Sequence, residues 1–144
     1  MKILLPVDGS EGALAAVRHA LRLMRGGLRA SFVLANVQEP ASLYEVVVAH
    51  DAEVIENVST AAAVHSLEAA QTLMRVAGAE FESEISHGDP AHMLLDIAER
   101  FDCEMIVIGA QGVGTPRRRA HFGSVANAVL HGAAVPVMVV RSDP

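Results

Sequence analysis

Gly109, Gly112, Gly123 and Ser124 are the residues of this chain whose types and spacing could do chemistry, and that chemistry is the holding of an anion. The first two glycines follow the unbroken apolar run Met105-Ile106-Val107-Ile108, which reads as a strand buried on both faces. Gly114 comes next, and ten residues separate Gly112 from the Gly123-Ser124 pair. Glycine accepts positive φ and lets a ligand approach the backbone closely. Ser124 is expected to N-cap an apolar helix over Val125–Leu130, whose free N–H groups would point back into the loop. A strand, a glycine loop and a helix N-terminus together make an anion site. Neither standard phosphate motif fits it. A P-loop needs a lysine and a hydroxyl after its last glycine, and the dinucleotide fingerprint needs a third glycine that Gly112-Val113-Gly114-Thr115-Pro116-Arg117 lacks.

Other candidates have two readings each. Asp8 ends an apolar strand, where its carboxylate could accept from a base amine or a ribose hydroxyl, or could serve as a turn or capping aspartate. Arg117, Arg118 and Arg119 form the dense positive cluster of an acidic chain; they either screen phosphates or face solvent. The seven histidines show no metal-ligand spacing, although His87 and His92 flank Gly88-Asp89-Pro90. Cys103, the single cysteine, reads as a buried inert thiol and fits a reducing cytoplasm. No Gly-x-Ser-x-Gly elbow or nucleophile–base pair is present, so the sequence shows no catalytic machinery.

Alternating strands and helices must position these residues. Ile3–Val7 is expected as strand one, and Ser10 as the cap of a helix carrying Leu14, Val17, Leu21 and Met24, stopped by Gly26-Gly27. Strand two is expected over 30–37. Glu45–Ala49 suggests a helical turn, and a long helix then runs to Ala77 with Thr60, Ala63, Leu67, Ala70, Met74 and Ala77 along one stripe. Strand three, Glu80–His87, carries Glu80, Glu82 and Glu84 on one face, the pattern of a half-exposed edge. Asp89 and Pro90 open a helix marked by Leu94, Ile97, Ala98 and Phe101. Val135–Val140 is strand five. Such alternation predicts a parallel sheet with helices on both faces.

The bulk properties exclude several classes. At 144 residues the chain is expected to be one domain, 1–144. No apolar run approaches the length of a membrane span, and Met1–Pro6 is too short for a signal peptide, so a cytoplasmic protein is expected. A net charge of −6 and the scarcity of aromatic residues argue against nucleic acid.

The spacing Gly109-x2-Gly112-x10-Gly123-Ser124 resembles the phosphate loop of the universal stress protein family, G-x2-G-x9-G-S/T, with one residue inserted. Val7-Asp8-Gly9-Ser10 resembles that family's first-strand ending, Gly88-Asp89-Pro90-Ala91 its approach to the third helix, and Ala134–Val140 its last strand. The resemblance implies an open sheet of order 3-2-1-4-5, Rossmann-like, of the adenine nucleotide alpha hydrolase-like kind. Its switch point falls between strands one and four, where ligands bind in such sheets. It further implies ATP with Mg²⁺, contacts to the nucleoside at Pro6, Val7, Asp8 and Val37, and contacts to ribose and phosphate at Gly109, Gly112, Gly123, Ser124 and Val125. Phosphates over the N–H groups of Gly112, Gly123 and Ser124 are expected. A stress sensor or regulator that carries ATP is then the leading reading. An interaction protein without nucleotide, favoured by the inserted residue, and a slow ATPase are the alternatives.

Strand five also bears on assembly. Val137-Met138-Val139-Val140 has no charge until Arg141, unlike the glutamate-guarded strand three. With so few residues after it to cover an apolar edge, a homodimer through this strand is expected, as the resemblance also implies.

Overall fold

The apolar runs of the sequence become the five strands of a parallel sheet with order β3-β2-β1-β4-β5. The structure, a computed structural model, describes residues 1–39, 52–111 and 122–142, with the backbone alone over 52–60. In chain order the elements are β1 (Lys2–Pro6), α1 (Glu11–Arg25), β2 (Ser31–Gln38), α2 (Ala52–Ala77), β3 (Phe81–His87), α3 (Pro90–Arg100), β4 (Met105–Gly109), α4 (Ser124–Gly132) and β5 (Val137–Val140). The expected architecture and strand order are both present. The helical turn foreseen over Glu45–Ala49 lies outside the described residues, as do Gly112 and Arg117–Arg119.

Period-two alternation sends each strand's side chains to two separate cores. Ile3, Leu5 and Val7 meet Ala16, Val17 and Leu21 of α1 and Leu67, Ala70 and Met74 of α2. Leu4, Val33, Ile106 and Ile108 meet Leu94 and Ile97 of α3 and Ala126 and Val129 of α4. The stripe foreseen on α2 is therefore core where its side chains are described. On α1 the buried face is centred one position away, on Ala13, Ala16, Val17, Ala20 and Leu21. Leu14 and Met24 flank it, because alanines let the helix sit close to the sheet.

The helix ends follow from local chemistry. The Ser10 hydroxyl accepts from Ala13 N–H at 3.1 Å and the Asp89 carboxylate from His92 N–H at 3.0 Å, both as N-caps. Asp102, at φ 55, takes the left-handed turn after α3 and delivers Cys103 into the second core. Burial there pushes the Cys103 thiol up from its ordinary range.

One expectation about capping is corrected. Gly123, not Ser124, is the N-cap of α4, and no side chain caps it; Ser124 is already the first helical residue. Ser86 also departs from its strand's pattern. It is buried, whereas Glu82 on the same alternation is exposed. The β3 edge is shielded unevenly along its length, so an alternating sequence does not give an alternating exposure.

Candidate functional site

The parallel sheet places the C-terminal ends of β1 and β4 side by side at the switch point, where the strand order reverses direction. Val7 continues the pairing beyond β1, its N–H donating to Ala35 O at 2.8 Å. Asn36, 1 % exposed, donates from Nδ2 to Val7 O at 2.7 Å and accepts from Gln38 Nε2 at 2.6 Å. Both backbone polar groups of Val7 are thus held by β2, which fixes where Asp8 leaves the sheet. Sequence reasoning passed over Asn36, although an amide inside the apolar run Phe32–Val37 was a visible signal.

Asp8 is exposed and takes the local role foreseen as its alternative. Its Oδ1 accepts from Ser10 N–H at 2.9 Å and from the Ser10 hydroxyl at 2.5 Å, a turn that sets the helix cap. Gly9, at φ +86, makes that turn possible, and a Cβ there would lie 3.1 Å from Ser66 Oγ. Pro6 and Val37 are half-buried at the ends of β1 and β2.

Gly109 closes β4 in a position only glycine fits. A Cβ would come within 2.6 Å of Gly12 O, because the first turn of α1 lies directly against the strand end. Gly12 is confined by a different neighbour: its Cβ would collide with Gln111 O. The glycine pair brings the N-terminus of α1 down onto the crevice floor, a packing role the sequence reading did not assign to either residue.

From β4 the chain of backbone bonds continues sideways. Ala110 N–H donates to Val140 O at 2.8 Å, and Gly123 N–H donates to Ala110 O at 2.7 Å. The Gly123 N–H is therefore engaged by the backbone in this arrangement and is not directed at an anion. The orphan N–H groups of the first α4 turn, Ser124 and Val125 foremost, are those a helix leaves without intrahelical partners. Gly123 is buried and Ser124 exposed, so the helix start opens to solvent at Ser124. Asp8, Gly109, Gly123, Ser124 and Val125 belong to one rim of the sheet, the one formed by the strands' C-terminal ends.

Two further features lie near this rim. An open groove of about 390 Å³ runs between α1 and α2 past Gly9, His65, Ser66 and Thr72, on the helix side of the β1 end. The Arg141 guanidinium sits 5.0 Å from the ring centre of Phe122, just before the α4 cap. Among the described residues no group of three or more His, Cys, Asp or Glu is placed to hold a metal, and no helix is long and apolar enough to cross a membrane.

The chain matches one family along nearly its whole length. The model of the universal stress protein family matches residues 1–141, and the chain belongs to that family. A universal stress protein of Methanocaldococcus jannaschii is 27% identical over 140 residues, covering 97% of this chain and 81% of the relative. One from Bacillus subtilis is 27% identical over 147 residues, covering 97% and 98%. Among solved structures, a universal stress protein from Lactobacillus plantarum superposes with a TM-score of 0.81 at 27% identity, covering 98% of this chain and 97% of that one. Two more distant structures share the fold and carry ligands. A family member from Arabidopsis thaliana with AMP bound has a TM-score of 0.72 at 18% identity, covering 99% and 92%. A universal stress protein in complex with cAMP has a TM-score of 0.66 at 20% identity, covering 99% and 98%.

Proposed function

We propose that this protein binds an adenine nucleotide, ATP with Mg²⁺, in the crevice between the ends of β1 and β4, and acts as a stress-response sensor or regulator. The observation that carries the reading is the rim itself. An anchored β1 end presents Asp8, and across the glycine-closed β4 end an α4 N-terminus stands without a side-chain cap. AMP and cAMP in two fold relatives supply the ligand class.

The nucleoside lies toward Pro6, Val7, Asp8 and Val37, with the Asp8 carboxylate accepting from a hydroxyl or amine. The phosphates lie over the N–H groups of Ser124 and Val125 and the Ser124 hydroxyl, where the helix dipole favours negative charge. Gly109 and Gly123 contribute by keeping the backbone low and in place; Gly112 is assigned to the same loop by its position in the sequence motif alone. Mg²⁺ enters on the triphosphate oxygens. The protein assembles as a homodimer through β5, whose four side chains pack against the two cores and which forms one edge of the five-stranded sheet.

Mass spectrometry of small molecules released from freshly purified protein tests the reading. Co-purified adenine nucleotide is expected. A preparation free of nucleotide, which also fails to take up added ATP, would favour the family alternative of an interaction protein without ligand.

A further inference from the structure

The geometry points to Arg141 as a specificity-determining residue that makes the crevice prefer phosphorylated nucleotides over bare nucleosides. The inference rests on the nucleotide reading above and deepens it. Sheet register supplies the first observation. Ile3 pairs with Met105 and Gly109 with Val140; carried past the strand ends, these registers set Asp8 beside Ala110 and Ala110 beside Arg141. The bond from Ala110 N–H to Val140 O holds the second of these alignments. Asp8 and Arg141 therefore flank the β4 end at one level, two strand spacings or roughly 10 Å apart.

The two flanks carry opposite charge. A ligand lying across the β4 end meets a carboxylate on the β1 side and a guanidinium on the β5 side. The second observation fixes where that guanidinium stands. It lies 5.0 Å from the Phe122 ring centre, and Phe122 directly precedes the Gly123 cap of α4. That approach places the cation beside Phe122, the residue that precedes the cap of the helix. The cation and the helix dipole then act on the same end of the ligand, while the Asp8 carboxylate accepts from the nucleoside at the other end. Polarity across three adjacent strand ends thus orients the nucleotide, with its base toward β1 and its phosphates toward β5.

The test is calorimetric titration of adenosine and of ATP into wild type, Arg141→Ala and Arg141→Lys at low and at moderate salt. Arg141 is exposed, so the substitutions leave the core intact. Arg141→Ala is expected to weaken ATP by roughly threefold to tenfold at low salt, and less at moderate salt, because an exposed charge is screened. Adenosine affinity should stay unchanged, and Arg141→Lys should restore most of the ATP preference. An unchanged ratio of ATP to adenosine affinity in Arg141→Ala, or equal losses for both ligands, overturns the assignment. A wild type that binds neither ligand fails the nucleotide reading itself, and the role of Arg141 falls with it.

Discussion

At the scale of single residues, Asp8 has two roles that a substitution can separate. Its Oδ1 sets the Ser10 turn, and its charge is proposed to meet the nucleoside. Asp8→Asn keeps an acceptor oxygen while removing the charge, so thermal stability should change little. Adenosine and ATP should weaken together, because the partner is on the nucleoside they share; a loss confined to ATP, seen by calorimetry, would remove Asp8 from the nucleoside side. Gly109 makes a different prediction. A methyl group there meets Gly12 backbone at 2.6 Å, which cannot rotate away. Gly109→Ala should therefore cost about 1–3 kcal/mol in urea unfolding, the usual range for overpacking, whether or not nucleotide is present. Stability equal to wild type would show that α1 can lift off the strand end. Cys103 is buried and its thiol is pushed up by that burial. Its reaction with a disulfide reagent should accordingly follow unfolding of the chain, and rapid labelling of the native protein would contradict its placement in the core.

At the scale of elements, the caps and stripes explain why so much of the fold could be read in advance. Ser10, Asp89 and Pro90 announce two helix starts by chemistry confined to four residues, and both appear where they were expected. Replacing Ser10 or Asp89 by Ala should each lower stability by about 1 kcal/mol, measured by denaturant unfolding; no loss at either would mean another group satisfies those N–H donors. What could not be read depended on contacts distant in sequence. Ser124 looked like a cap because it is the only hydroxyl beside the apolar helix. The tertiary bond from Gly123 N–H to Ala110 O instead starts the helix one residue earlier. The contacts that confine Gly109 against Gly12 and Gly12 against Gln111 span most of the chain, so no local pattern could reveal why both are glycine. The strand order was legible only through family resemblance, since alternation alone gives a parallel sheet and not its permutation. Asn36 shows the reverse case. Its polarity stood out in the sequence, and only the fold gives it a purpose, which is to hold the β1 end beneath Asp8.

At the scale of the molecule, the two sheet edges differ in a way that bears on assembly. Glu82 on β3 pairs with Lys2 at 3.4 Å and Glu84 approaches Arg100 at 4.0 Å. These half-exposed pairs add little stability, but they leave a charged edge that discourages a second chain. The β5 edge carries no such guard from Val137 to Val140. Light scattering should give a dimer for wild type and a monomer for Val139→Lys; a monomeric wild type, or a fully dimeric variant, would exclude pairing through β5. The crevice at the other end of these strands carries the account's main claim, that the rim from Asp8 to Val125 is an adenine nucleotide site. Calorimetric titration of ATP with Mg²⁺ into wild type and Gly123→Val tests it most directly. Gly123 lies at φ −62 and ψ 160, which a valine can adopt without backbone strain, so the variant tests added side-chain bulk at the helix start. Wild type is expected to bind one ATP per chain saturably, and a variant whose circular dichroism is unchanged to bind at least tenfold more weakly, roughly 1.4 kcal/mol. No heat from the wild type, or equal affinity in the folded variant, would contradict it.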